Sequence, residues 1–439
     1  MDTRVGACPL TLDRRHPVEP RPFHVLRRHA RHPAVPYERV PPGGAGHHRV
    51  SAGPRLLFVC GQARFFSTHR LPLARAAARA GYDVHIAVPA DGPGYAELAD
   101  AGFPLHPLTL ERQGTHPLRE ARAIARLVEL YGDLAPAIVH HVGLKLVLYG
   151  SLAARIRRVP AVVNAVAGMG YVFTESGRRA GVARRLARRV ARRVARRAMT
   201  AAFGSPRQRL ILQNRTDRDD FVAAGIAPAG AIVLTVGSGV DLQEFRPRPL
   251  PGGTPVVVLA ARMLWHKGVG EFVEAARALR SRGVDARFVL VGDTDVNPAS
   301  VPQAQLAAWQ QEGVVEWWGL RDDMAGVLGE ASIVCLPSYR EGCPKVLLEA
   351  AACGRPIVTT DVPGCRDVVA DGVEGRLVPA RDGAALADAI AELLADPARR
   401  ASMGAAARVR AEREFGVEHV ARITLETYDA LIGARPSRR

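Results

Sequence analysis

Two glutamates, Glu341 and Glu349, stand with seven residues between them, the first five being Gly342-Cys-Pro-Lys-Val346. Their setting makes chemistry legible. An apolar run from Ala331 to Leu336 reads as a buried strand that stops at Pro337, and a short polar loop then carries Glu341. Pro344 sits where a first helical residue would, its fixed φ and missing N–H costing nothing there. The helix is predicted to run to about Ala352 and stop at Gly354, and Pro356-Ile-Val-Thr359 opens the next strand. Such a unit aims the backbone N–H groups of residues 345–347 outward as an anion site. Carboxylates beside a bound phosphate would be repelled, so Glu341 and Glu349 are expected to face hydroxyls. A nucleotide sugar supplies both partners: a diphosphate for the N–H groups, ribose and hexose hydroxyls for the acids. The simpler alternative is a helix with solvated acids, and for Glu349 alone that alternative is favoured, because isolated surface glutamates are common.

The whole stretch, Pro337 to Val369, resembles the signature of the retaining, family-four (group 1) glycosyltransferases. It has the Glu, seven residues, Glu spacing, followed by Ala352-Cys-Gly-Arg-Pro-Ile-Val358. The resemblance implies that Glu349 binds ribose hydroxyls and that Glu341 lies against the donor sugar. Gly342, Cys343, Pro344, Lys345 and Val346 would hold sugar and diphosphate. Arg262 and Lys267 follow the predicted strand Val256–Ala261, in the position of the family's cations that grip the donor diphosphate. A fixed cation pair there would stabilise charge on a departing nucleotide. Asp293-Thr-Asp-Val-Asn-Pro298 follows another strand and is a candidate to touch sugar or base. Arg321, in Trp317-Trp-Gly-Leu-Arg-Asp322, follows a further strand near the expected place of the base.

The first half offers three loops after strand ends. Gln62-Ala-Arg-Phe-Phe-Ser-Thr-His-Arg70 stands where a plain nucleotide fold has a glycine-rich turn, and His69 and Arg70 are candidates for the cleft. His140, His141 and Lys145 follow the fourth strand, and Ala165-Val-Ala-Gly-Met-Gly-Tyr-Val-Phe173, with Gly168 and Gly170, follows the fifth. These loops resemble the capsule, exopolysaccharide and lipid-linked oligosaccharide branch of the same family over most of residues 55–430. That resemblance implies an acceptor-side role for His69, Arg70, Lys145, Gly168 and Gly170. Many relatives carry a histidine where this chain has Ala167. His141 is therefore the candidate catalytic histidine, with His69 as the alternative; for either one a structural loop histidine is the competing reading.

The elements that must position these residues alternate. Predicted strands 55–61, 83–88, 103–108, 136–141, 161–164, 210–213 and 231–236 are interleaved with helices 68–80, 116–131, 145–157 and 217–224. Repeating βα units with nearly continuous apolar strands mean a parallel sheet covered on both faces, with ligands at the carboxyl ends of the strands. Phe245-Arg-Pro-Arg-Pro-Leu-Pro-Gly-Gly253 marks a domain boundary, after which the pattern restarts. Helices 269–281, 383–395, 398–414 and 418–433 complete the second half. The expected organisation is a basic Pro/Arg/His-rich disordered tail over 1–53, an acceptor-side Rossmann-like domain over 54–243 and a linker over 244–254. A nucleotide-sugar-binding Rossmann-like domain over 255–415 follows, then a helix over 416–439 that crosses back and ends in a basic tail. The fold class is α/β, the GT-B arrangement of two Rossmann-like parallel-sheet domains facing across a cleft.

The net charge of +17 is concentrated. Residues 1–50 hold nine Arg against four acids, and residues 178–197 hold ten Arg and no acid, so the remainder of the chain is nearly neutral. From Arg184 onward two Arg alternate with two apolar residues, an amphipathic pattern that reads as a membrane-surface or nucleic-acid element, or as a covering helix with a basic solvent face. Nothing interleaves aromatics with the arginines for base stacking, so nucleic acid is not expected as a partner. Arg188, Arg189, Arg192 and Arg193 are assigned to an anionic membrane surface. The six cysteines form no C-x-x-C pair and fit a reducing cytosol. No apolar run reaches spanning length, and no signal-peptide core stands near the start. The expected localisation is cytoplasmic, peripheral at the inner face of the cell membrane.

The reading is a retaining transferase that moves a sugar from a nucleotide sugar, expected to be UDP-linked, to a lipid-linked or saccharide acceptor in surface polysaccharide synthesis. A polyprenyl-diphosphate-linked acceptor is preferred. No cofactor and no metal are expected. The alternatives are a soluble small-molecule acceptor and a GT-B-shaped sugar-nucleotide epimerase, which shares the fold but lacks the Glu-x7-Glu stretch in this context.

Overall fold

The computed structural model describes residues 53–90, 93–109, 117–166, 200, 203 and 205–433. The tail expected over 1–53 falls almost wholly outside these residues. So do Gly168, Gly170 and the arginine-rich stretch with Arg188, Arg189, Arg192 and Arg193.

Two all-parallel sheets organise the chain. The first contains β1 (Arg55–Cys60), β2 (Asp83–Val88), β3 (Leu105–Pro107), β4 (Ile138–Val142), β5 (Ala161–Val166), β6 (Gln208–Leu212) and β7 (Ile232–Leu234), in the order β3-β2-β1-β4-β5-β6-β7. The second contains β8 (Val256–Ala260), β9 (Arg287–Val291), β10 (Glu316–Trp317), β11 (Ile333–Leu336), β12 (Ile357–Thr360) and β13 (Gly375–Val378), in the order β10-β9-β8-β11-β12-β13. The central strands are buried from end to end, as a sheet covered on both faces requires. The order reverses between β1 and β4 in the first sheet and between β8 and β11 in the second. Ligands of open parallel sheets lodge in the crevice at such a reversal, beyond the strands' carboxyl ends.

Two passages join the lobes side by side. Val240 runs beside Gly416: the Val240 amide donates to the Phe415 carbonyl at 2.8 Å and the Val417 amide to the Val240 carbonyl at 3.0 Å. Gly239 has φ +79°, and a side chain there would meet the Val417 backbone at 2.7 Å, so the crossing needs glycine. Phe415 still belongs to the second lobe's core, whereas Ala421 and Tyr428 of the helix Val417–Ile432 sit in the core of the first. Tyr428 is anchored there by a 2.5 Å hydrogen bond with His140 Nδ1.

Three local expectations are corrected. The single helix expected over 68–80 is two, Ala63–His69 and Leu71–Arg79, because Pro72 has no N–H to continue the first and instead sits in the opening turn of the second. Pro344 is the N-cap residue, with φ −74° and ψ 117°, one position before the helix Lys345–Ala352. β13 carries no apolar run and has no counterpart among the expected strands.

Candidate functional site

The two reversal points face one another across a cavity of about 880 Å³. Cys60 and Gly61 after β1, Val142 and Gly143 after β4, Ala260 to Arg262 after β8, and Leu336 at the end of β11 all border it. The site therefore follows from strand order before any side chain is considered.

On the second lobe, the chain leaving β8 turns through Trp265–Lys267 into the helix Val269–Ser281. Gly268 makes that turn with φ +77°, and a side chain there would lie 2.1 Å from the Pro337 carbonyl oxygen. The close approach brings Lys267 to the loop after β11. Its Nζ pairs with Glu341 Oε1 at 2.5 Å, and Ser338 Oγ donates to the same oxygen at 2.6 Å. Arg262 pairs with Asp295 at 2.6 Å. Both expected diphosphate-gripping cations thus border the cavity, each held by an acid. Gly342, Cys343, Pro344, Lys345 and Val346 border it as well. Burial pushes the Cys343 thiol well up, leaving it a packing group against Gly237 of the other lobe.

Glu349 sits one turn into the helix, its side chain 8% exposed, and pairs with Lys345 at 3.3 Å. Burial raises its carboxyl above the ordinary range, with the Lys345 ammonium opposing. It lies behind the loop and not among the residues bordering the cavity. Arg321 is exposed, its guanidinium 5.9 Å from the Trp318 ring, and is also off the cavity wall.

On the first lobe, His69 borders the cavity. It stacks on Phe65 at 4.3 Å and shares a 3.1 Å hydrogen bond between Nδ1 and Ser238 Oγ. Burial, reinforced by Lys345 and Arg70, lowers its pKa to about 3, so the ring is neutral at physiological pH. Lys145 borders the cavity and pairs with Glu120 at 2.8 Å.

Two candidates of the first lobe are, like Glu349 and Arg321, placed off the cavity wall. His141 does not face the cleft. It is wholly buried, with Nε2 bonded to Tyr131 Oη and Nδ1 to Asn164 Oδ1, both at 2.8 Å. Burial lowers its pKa to about 4, and Gly150 packs directly on the ring. With both nitrogens committed it holds the lobe together instead of meeting substrate. Arg70 is 2% exposed and off the cavity wall, turned inward near Cys60, His140 and Tyr428. β4 extends to Val142, so both histidines lie within the strand and not beyond it.

Residues not anticipated also border the cavity: Gln62, Arg64, Phe65 and Thr68 on or just before the first helix, and Gln213 after β6. The signal available was positional, since each follows a strand's carboxyl end. Arg64, Lys145, Arg262, Lys267 and Lys345 border the cavity, paired with Asp322, Glu120, Asp295, Glu341 and Glu349 in turn. Of these acids only Asp295 and Glu341 stand on the wall, so the lining itself presents more cations than acids to an anion. Among the described residues no group of three or more His, Cys, Asp or Glu side chains could hold a metal ion, and no helix is long and apolar enough to cross a membrane.

Comparison with known proteins agrees with this geometry. Residues 254–396 match the family described as glycosyl transferases group 1, and residues 56–202 match the one described as glycosyl transferase 4-like. The chain is 26% identical over 377 residues to an N,N'-diacetylbacillosaminyl-diphospho-undecaprenol alpha-1,3-N-acetylgalactosaminyltransferase of Campylobacter jejuni, covering 83% of this chain and 95% of that protein. It is 32% identical over 255 residues to a D-inositol 3-phosphate glycosyltransferase of Xylanimonas cellulosilytica, covering 52% of this chain and 58% of that one. Among solved structures it is similar in fold to HepE of Anabaena in complex with UDP, with a TM-score of 0.68, 19% identity and coverage of 86% of this chain and all of that one. It is also similar to WaaG, a glycosyltransferase involved in lipopolysaccharide biosynthesis, with a TM-score of 0.64, 17% identity and the same coverage.

Proposed function

We propose, from the premise that this chain belongs to the group 1 glycosyltransferases, that it moves a sugar from a UDP-linked donor, with retention of anomeric configuration, to a polyprenyl-diphosphate-linked acceptor. The observation that carries the reading is the pairing of the two reversal points. Lys267, Glu341 and the start of the helix Lys345–Ala352 stand on one wall; Gln62, His69 and Lys145 stand on the other. The helix N-terminus and the two cations suit the donor diphosphate. As the glycosidic bond breaks, charge grows on the departing diphosphate, and prepositioned cations stabilise that charge most in the transition state. The facing wall closes the site against water, which would otherwise consume the donor by hydrolysis. The neutral His69 beside the cleft is the histidine suited to touch sugar hydroxyls. No metal is assigned a role.

The lipid-linked acceptor is supported by the Campylobacter relative, whose alignment spans nearly that whole protein and whose own acceptor is a sugar carried on diphospho-undecaprenol. A soluble phosphorylated acceptor is the second reading, favoured by the inositol-phosphate relatives. The arginine-rich stretch 178–197 is proposed to hold the enzyme at the inner face of the cell membrane. The test offers radiolabelled nucleotide sugars with a detergent-dispersed polyprenyl-diphosphate saccharide and, separately, with inositol phosphate. Label entering the organic phase from a UDP sugar is the expected result. Label entering only the soluble acceptor, or none from any donor, overturns the reading.

A further inference from the structure

The loop that carries Glu341 is held from both lobes. On its own lobe, the Glu341 amide donates to the Pro363 carbonyl at 3.3 Å, and Gly364 lies so close that a side chain there would be 2.6 Å from the Gly342 oxygen. From the opposite lobe comes Asn214, the N-cap of the helix Arg215–Ala223. Its Oδ1 accepts from the Asp217 amide at 2.7 Å, as a cap should. Its Nδ2 donates to Asp217 Oδ2 at 2.8 Å and to the Gly342 carbonyl at 2.9 Å. The other oxygen of Asp217 accepts from Arg340 Nη2 at 2.9 Å. Asn214 and Asp217 are 2% and 1% exposed.

A buried carboxylate needs a cation and hydrogen bonds to offset its lost hydration. The cation beside Asp217 is Arg340, which belongs to the other lobe. Arg340 and Gly342 are the immediate neighbours of Glu341, which holds Lys267. The chain of contacts from Asn214 and Asp217 therefore ends at the donor cation.

We infer that Asn214 and Asp217 are positioning residues: reaching across the cleft, they fix Arg340 and Gly342 on either side of Glu341, and so make the donor wall's geometry depend on the lobes being engaged. The latch stands on these contacts alone; its consequence for turnover rests on the sugar-transfer reading above.

Hydrogen exchange tests the latch directly, because the effect must cross between lobes. In Asp217→Asn, which keeps the bond to Asn214, amides of residues 339–343 should exchange about tenfold faster or more, as expected when a local tie is released. The amides of both sheets should keep wild-type rates. In Arg340→Gln, whose side chain is partly exposed and tolerant of replacement, amides of 215–218 should quicken instead. Transfer should fall by about ten- to a hundredfold, in kcat more than in donor affinity, as for a misplaced catalytic wall. The double variant should be no worse than the poorer single one. Unchanged exchange in the opposite lobe for both variants overturns the latch, whatever the enzyme transfers. Faster exchange with wild-type kcat overturns the positioning role. A wild type that transfers no sugar refutes the functional reading, and the exchange result still decides the latch.

Discussion

At the scale of single residues, the site is a set of charges held in readiness. Lys267 is paired with Glu341 and Arg262 with Asp295, so neither cation is left loose. Because leaving-group charge grows towards the transition state, Lys267→Ala is expected to lower kcat more than it weakens donor binding. Steady-state kinetics beside UDP titration checks this, and near-wild-type turnover would refute it. Glu349 does not border the cavity but holds Lys345, which does. Glu349→Gln is therefore expected to weaken UDP-sugar binding through a less firmly placed Lys345, and calorimetry showing unchanged affinity would remove that assignment. Three histidines set a pH dependence: His69 at the cleft and His106 on β3, both partly buried, and the wholly buried His141. His69 is lowered to about 3, and His106 and His141 to about 4, in each case chiefly by burial. Each binds its proton more weakly folded than unfolded, where the value is about 6.5. Their contribution is therefore full above pH 6.5 and is lost as the pH falls from there through the folded values. For His141 the loss is on the order of 3 kcal/mol at the acid end. Urea denaturation between pH 7 and pH 4, a range on the order of the unfolded-to-folded window, should show His141→Gln losing less stability than wild type.

At the scale of elements, the strands were legible because parallel strands buried on both faces are nearly continuous apolar runs, as β8 and β11 are from end to end. The loop after β11 was legible for a different reason. Its proline, acids and following glycine each have a local backbone or chemical meaning, and the loop does border the cavity. His141 was not legible. Residues at a strand's end alternate faces, and a shift of one residue in where β4 ends decides whether a histidine emerges into a cleft or stays inside. Here the strand runs on to Val142, with His140 bonded to Tyr428 on one face and His141 to Tyr131 on the other. Nor could the sequence reveal that Asn214 and Asp217 meet residues 340 and 342, since that contact depends on how two lobes lie together. The arginine-rich stretch 178–197 remains a sequence-level element. Each Arg near an anionic surface contributes about 1 kcal/mol, so wild type is expected to pellet with anionic vesicles at low salt and release at high salt. A variant with Arg188, Arg189, Arg192 and Arg193 changed to Gln should stay in solution; equal pelleting would refute the membrane role.

At the scale of the whole molecule, two sheets of the same winding bring their reversal points face to face, and the helix Val417–Ile432 ties the second lobe's chain back onto the first. The cleft between them is lined by paired cations and by acids that can turn to hydroxyls, a combination suited to a diphosphate carrying a sugar. The central claim is that protein cations, and not a metal, take up the charge of the departing UDP during sugar transfer. The most direct measurement is the initial rate of label transfer from a UDP sugar to the polyprenyl-diphosphate saccharide, taken with and without excess chelator. The account predicts transfer at the same rate in both. Transfer abolished by chelator and restored by a divalent cation would contradict it.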